Sequence, residues 1–191
     1  MPATDKYTGV AIGLHWLIAL LILGQIAGGI YMADLANSAS KFELYQQHKS
    51  FGITILILSL FRLAWRFTHA VPPLPEGMKN WERLAARGTH IAFYILMIGI
   101  PIGGWALVSA SPFADSVPTY VFGIVPWPHM PFFSGVGDRE ALAATLAGFH
   151  KTGAFATMGL LVLHIAAALK HHFVNKDAVL ARMVPFLARR K

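Results

Sequence analysis

Residues 147–169 read AGFHKTGAFATMGLLVLHIAAAL, twenty-three residues whose only formal charge is Lys151 and which carry a histidine near each end, His150 and His164. A run of this length and apolarity crosses the hydrocarbon core of a bilayer as a helix. An imidazole inside a span costs desolvation free energy unless it has a partner, so each one marks a candidate functional position. At about 100° per residue the two histidines project within roughly 40° of each other, and at 1.5 Å per residue they lie about 21 Å apart along the axis. One sits near one membrane face and its companion near the other.

The rest of the chain has the same character. Its 191 residues (20.9 kDa) are 55% hydrophobic and only 13% charged, with a mean hydropathy of +0.54. Soluble domains carry roughly 25% charge, so a soluble globular reading is poor. Three further runs qualify as spans, 10–32, 48–67 and 89–109, and together with 147–169 they predict an all-α integral membrane four-helix bundle forming one domain over residues 1–191. The run after Lys6 is too long for a signal-peptide core and has no convincing small-residue cleavage site, so it is expected to stay in the mature protein. The chain has no cysteine. Cysteine-ligated iron–sulfur clusters, covalently attached haem, disulfides and thiol catalysis are therefore excluded.

Four crossings put both termini and the loop between the second and third spans on one side. That side holds Lys6, Arg62, Arg66, Lys79, Arg83, Arg87, Lys170, Lys176, Arg182, Arg189, Arg190 and Lys191, which is 12 of the 16 cations. The positive-inside rule then places both termini in the cytoplasm. The net charge of +7 is thereby a topology signal, and no nucleic-acid partner is expected. Pro72, Pro73 and Pro75 end the second helix. Beyond the third span, the segment from Ala110 to about Thr145 is rich in proline and aromatics, as in Tyr120-Val121-Phe122-Gly123-Ile124-Val125-Pro126-Trp127-Pro128, and reads as an interfacial lid on the outer side.

Depth assigns partners to the histidines of the fourth span. His15 lies six residues into the first span from the inner side, about 9 Å deep and level with His164. His48 opens the second span from outside, level with His150. Two facing imidazoles are what a b-type haem requires, one nitrogen on each axial side of the iron and no covalent link. The pairs His15 with His164 and His48 with His150 predict two bis-histidine haems between the helices, stacked into a path for electrons. The plainer alternative for any single histidine is an interhelical hydrogen bond.

Neighbouring residues extend the site. Gly52 and Gly153, each within one turn of an outer histidine, leave room for a flat macrocycle. Arg62 projects from nearly the same face as His48 at the inner level and matches a haem propionate, or else flanks the membrane as an ordinary inside cation. Lys49 and Lys151 each follow an outer ligand and are candidate catalytic residues that draw a small anion to the haem edge; solvated membrane-edge lysines are the alternative. His90 and His171, at the inner edge, would serve a quinone head group as donors and proton carriers, or stand there as interfacial histidines without a ligand. His69 and His129 fall in loops and are expected to face solvent. Gly24 and Gly28 read as helix packing, and Pro101 as a kink in the third helix.

In sequence the chain resembles the bacterial cytochrome b561 family of di-haem membrane cytochromes. The resemblance rests on Leu14-His15-Trp16-Leu17, His48-Lys49-Ser50-Phe51-Gly52, Arg62 with Pro72-Pro73, His90, His150, and the run from His164 to His172, and it covers nearly the whole chain. It implies two haem b groups, held by His48 with His150 and by His15 with His164, and electron exchange with ubiquinone. One branch of that family oxidises superoxide at the periplasmic side and reduces ubiquinone, which makes superoxide, or another periplasmic donor, the expected substrate. Rival readings are a cytochrome b subunit of a larger hydrogenase or dehydrogenase complex, and a small non-redox transporter whose histidines relay protons.

Overall fold

The computed structural model describes residues 6–133 and 135–187; Arg189, Arg190 and Lys191 of the cationic tail lie outside them. Four long helices dominate: α1 (Gly9–Asp34), α2 (Ala39–Thr68), α3 (Asn80–Ala110) and α4 (Arg139–Lys170). All four are long and apolar enough to cross a membrane. Each begins earlier than its apolar run. Capped polar turns carry the helices past the hydrocarbon: Ser38 Oγ accepts from the Lys41 N–H at 3.2 Å and Asp138 Oδ1 from the Ala141 N–H at 2.9 Å. The Glu82 carboxylate accepts from the Lys79 N–H at 3.1 Å, and Thr8 caps α1 through Ala11 at 3.2 Å. Hydropathy senses lipid burial and not helicity, so it misses these polar ends. His48 and His150 consequently lie well inside α2 and α4, not at their outer edges.

Packing follows chain order, α1 on α2, α2 on α3 and α3 on α4. Few residues are buried inside the bundle, Ile18 at 1% exposure being among the most enclosed. Leu20, Ile95, Val162 and Leu163 each leave 62% or more of their surface uncovered. In lipid that exposure carries no hydrophobic cost, and the backbone is satisfied within each helix. α3 runs through Pro101 unbroken.

The outer loop is structured. Strands β1 (Thr119–Val121) and β2 (Val125–Trp127) pair antiparallel around a turn in which Phe122 and Gly123 take positive φ, 50° and 72°. Ser50 Oγ of α2 accepts from the Phe122 N–H at 2.9 Å, and the Phe51 and Phe122 rings meet edge to face at 5.2 Å. On the α3 side, Trp105 Nε1 donates to the Pro128 carbonyl at 2.8 Å and Ser109 Oγ accepts from the Met130 N–H at 2.9 Å. Arg139 ties the start of α4 to α3 through the Ser109 carbonyl at 3.1 Å and to Asp115 at 3.0 Å. The expected lid is thus strapped across the outer end. At the inner end, α4 continues into a π-helical turn, His171–Asn175, and the following segment folds back so that Met183 accepts from Trp16 Nε1 at 2.8 Å.

Candidate haem and electron-transfer site

The bundle brings the histidines together in two groups. At the outer level the His48 and His150 rings are 6.0 Å apart between centroids, and at the inner level those of His15 and His164 are 6.2 Å apart. An axial nitrogen sits about 2 Å from its metal, and roughly 1 Å more reaches the ring centre, so two rings on one iron stand about 6 Å apart. Both pairs have that spacing, and so do His90 and His164 at the inner level, also 6.2 Å apart. The spacing thus marks a two-imidazole site at each level, and depth along α1 and α4 assigns His15 to the inner one. Among the described residues, α4 packs closely along α3 while α1 and α2 stand farther off. The imidazoles therefore face each other across a gap between helices. No three histidine or acidic side chains among the described residues group as a bare metal ion would require, so the donor set is one of pairs.

The outer pair carries a further chemical mark. His150 Nδ1 lies 3.2 Å from the Ile100 carbonyl oxygen. A carbonyl only accepts, so Nδ1 holds the proton and Nε2 keeps its lone pair for a metal, the usual way a protein fixes a ligating tautomer. Gly104 makes this contact reachable, because a Cβ there would stand 3.0 Å from His150 Cε1. On the opposite wall Gln25 Nε2 donates to the His48 carbonyl at 2.8 Å and so braces α2 at its histidine.

The two glycines expected beside the rings also border neighbouring helices. A Cβ on Gly52 would meet Gln25 at 3.6 Å, and one on Gly153 would meet Ile100 at 2.9 Å. Gly153 lets Ile100 of α3 pack onto α4, whereas a Cβ on Gly52 would make only ordinary contact; the glycines whose added Cβ would meet an imidazole are Gly29, at 3.6 Å from His48, and Gly104. Sequence reading missed Gly29, Gly104, Gln25 and the Ile100 carbonyl. A glycine inside a span signals close approach, but not which helix approaches.

Lys49 is half-buried and donates from Nζ to Thr119 Oγ1 of the lid at 3.0 Å, whereas Lys151 is exposed. At the inner level His90 lies 6.2 Å from His164, and Phe93 packs edge to face on the same ring at 5.3 Å. Arg62 borders a pocket with Tyr7, Arg66, Trp65, His69 and Tyr94. His171 is buried in the π-helical turn, where Nδ1 bonds the Asp177 carboxylate at 2.6 Å. That carboxylate, not an incoming head group, occupies its nearer nitrogen. Two loop histidines also depart from expectation. His69 stacks on Trp65 at 3.8 Å with an 8° tilt, and both ring nitrogens of His129 are buried.

A family model described as prokaryotic cytochrome b561 matches residues 6–186. The chain belongs to that family. Cytochrome b561 proteins bind haem b, usually two, and transfer electrons in the membrane; this chain is accordingly a multi-pass protein of a bacterial inner membrane. It is 34% identical over 182 residues to cytochrome b561 homolog 2 of Escherichia coli (strain K12), covering 94% of this chain and 92% of that protein. It is 32% identical to the probable superoxide oxidase CybB of Yersinia pestis (94% and 96% covered). Cytochrome b562 of Cereibacter sphaeroides is 29% identical, with 96% and 98% covered. The residues present fit haem b: two spaced imidazole pairs, a fixed tautomer at one of them, and a gap between helices at both.

Proposed function

We propose that this cytochrome b561 is a superoxide:ubiquinone oxidoreductase, with His48 and His150 holding an outer haem b and His15 and His164 an inner one. When bound, haem b supplies a reversible one-electron iron couple at each level. Over a full cycle two superoxide anions each lose one electron and leave as dioxygen, while one ubiquinone gains two electrons and two protons and leaves as ubiquinol.

With His48 and His150 both engaged in holding the outer haem, no site would be left on it for oxygen, so these residues' surroundings would serve to gather an anion near the site. Lys49 and Lys151, each adjacent to an outer ligand, provide the positive potential for that. At the inner end His90, beside His164, would give a proton to a quinone oxygen, and Arg62 would pair with a haem carboxylate. For His171 the role that fits its bond to Asp177 is proton supply from the inner surface, one step behind His90.

The paired histidines at both ends carry this reading, and the 32% identity to a protein named as a probable superoxide oxidase points it toward superoxide. Its test uses purified protein in detergent with a short-chain ubiquinone. The expected result is two haems per chain by pyridine haemochrome, haem reduction on adding superoxide, and ubiquinol formation at half the rate of superoxide loss. Two haems that superoxide leaves oxidised would exclude the oxidase, and copurification with a large iron–sulfur partner would point to the subunit of a complex instead.

A further inference from the structure

The lid carries polar groups that neither the fold nor the reading above uses. Trp127 Nε1 and both ring nitrogens of His129 are buried with no hydrogen-bond partner among the described residues. Buried polar atoms in native proteins are nearly all paired, so three of them within three residues call for a ligand. Both residues line one pocket together with Thr119, Tyr120 and three prolines. Proline has no N–H, so little in the wall competes as a donor.

Position gives the ligand its charge. Trp127 packs on Trp105 at 5.4 Å, and Trp105 follows Gly104, which touches the His150 ring. On the paired strand, Thr119, the cross-strand neighbour of Trp127, accepts from the Lys49 ammonium, and Lys49 follows His48. The pocket's wall is therefore anchored on α2 and on α3 one residue from groups that belong to the outer histidine level. An indole N–H only donates, and every protonation state of an imidazole offers at least one N–H. Among the described residues no carboxylate lines the pocket. Donors, a nearby ammonium and no acid together select a negatively charged oxygen.

We propose that Trp127 and His129 form a hydrogen-bonding site for an anionic oxygen group in the outer loop, at the end of the bundle that carries the outer histidine pair. The inference rests on haem b being held by His48 and His150, and two sources then offer this chemistry: a carboxylate of that haem, or superoxide. The experiment compares the unmodified holoprotein with Trp127→Phe, His129→Gln and the double variant Trp127→Phe/His129→Leu. Haem stoichiometry, the two midpoint potentials and the second-order rate of haem reduction by superoxide are read on each.

If the donors hold the haem carboxylate, the double variant loses the outer haem or shifts its potential with no substrate present, and the inner haem stays unchanged. If they hold superoxide, both haems and both potentials are retained and the superoxide rate falls about tenfold or more per lost bond to a charged group, less for His129→Gln, which keeps a donor. Counts, potentials and rate all within twofold of the parent would overturn the proposal. Where the double variant does not fold, the two nearly isosteric single variants decide on the same readouts. Fewer than two haems in the unmodified protein would remove the haem reading itself, and this inference with it.

Discussion

Gly104→Ala tests the outer site at its tightest contact. The added methyl carbon would sit 3.0 Å from Cε1 and 3.2 Å from Nδ1 of His150. Carbon atoms prefer about 3.5–4.0 Å, so the imidazole must retreat by at least half an ångström, on the side where Nδ1 bonds the Ile100 carbonyl. Overpacking of this kind costs about 1–3 kcal/mol, which converts to roughly 5–150-fold weaker haem binding at that level if the strain is relieved by moving the ring. Gly103→Ala is the internal control, because its added Cβ meets nothing within 4 Å. Haem stoichiometry and redox titration should show the outer haem weakened or lost in Gly104→Ala, the inner haem intact, and both retained in Gly103→Ala. Equal loss at both levels, or full retention in Gly104→Ala, would refute the packing argument.

Three further outcomes are expected. His48→Ala or His150→Ala should lose the outer haem and keep the inner, while His15→Ala or His164→Ala should do the reverse; haem count with low-temperature spectra checks this, and loss of only the opposite haem would break the pairing. Ser50→Ala removes the acceptor of the Phe122 N–H and should loosen the lid by about 1 kcal/mol, seen as roughly fivefold faster amide exchange at residues 119–127 with α2 unchanged. Extraction of haem should raise exchange along α4 more than along α1 and α2, because α4 meets those two helices mainly across the histidine gap; uniform exchange would contradict that picture.

Much of this architecture was legible in the residues, and what escaped has physical causes. Apolar length decided the number of helices, since lipid admits little besides a helix of that length. Depth counting from span ends brought His15 to His164 and His48 to His150, because helical rise is nearly constant. The same counting put His48 at an edge, since the polar turns 39–47 and 139–146 are helical for reasons of capping that hydropathy does not register. Gly29 and Gly104 escaped because the neighbour a helical glycine meets is set by which helix faces it, and local sequence does not give that. His129 was read as a solvent-facing loop residue because nothing local announces a pocket assembled from prolines and a tryptophan.

α4 is the element on which both levels depend. Its two histidines are held by one rigid helix, so their separation of about 21 Å is set by helical rise and not by loops or side-chain choice. The partners come from different helices, His48 from α2 and His15 from α1, so each level has its own second wall and its own supports: Ile100 and Gly104 of α3 outside, His90 and Phe93 of α3 inside. Shared spacing with separate walls lets one level change its ligand field or its exposure without moving the other. That separation explains why the bundle tolerates so thin a protein core. In lipid no hydrophobic force presses helices together, so α4 needs directional contacts to α1 and α2, and under the proposed ligation the facing imidazoles with the haems between them would supply them.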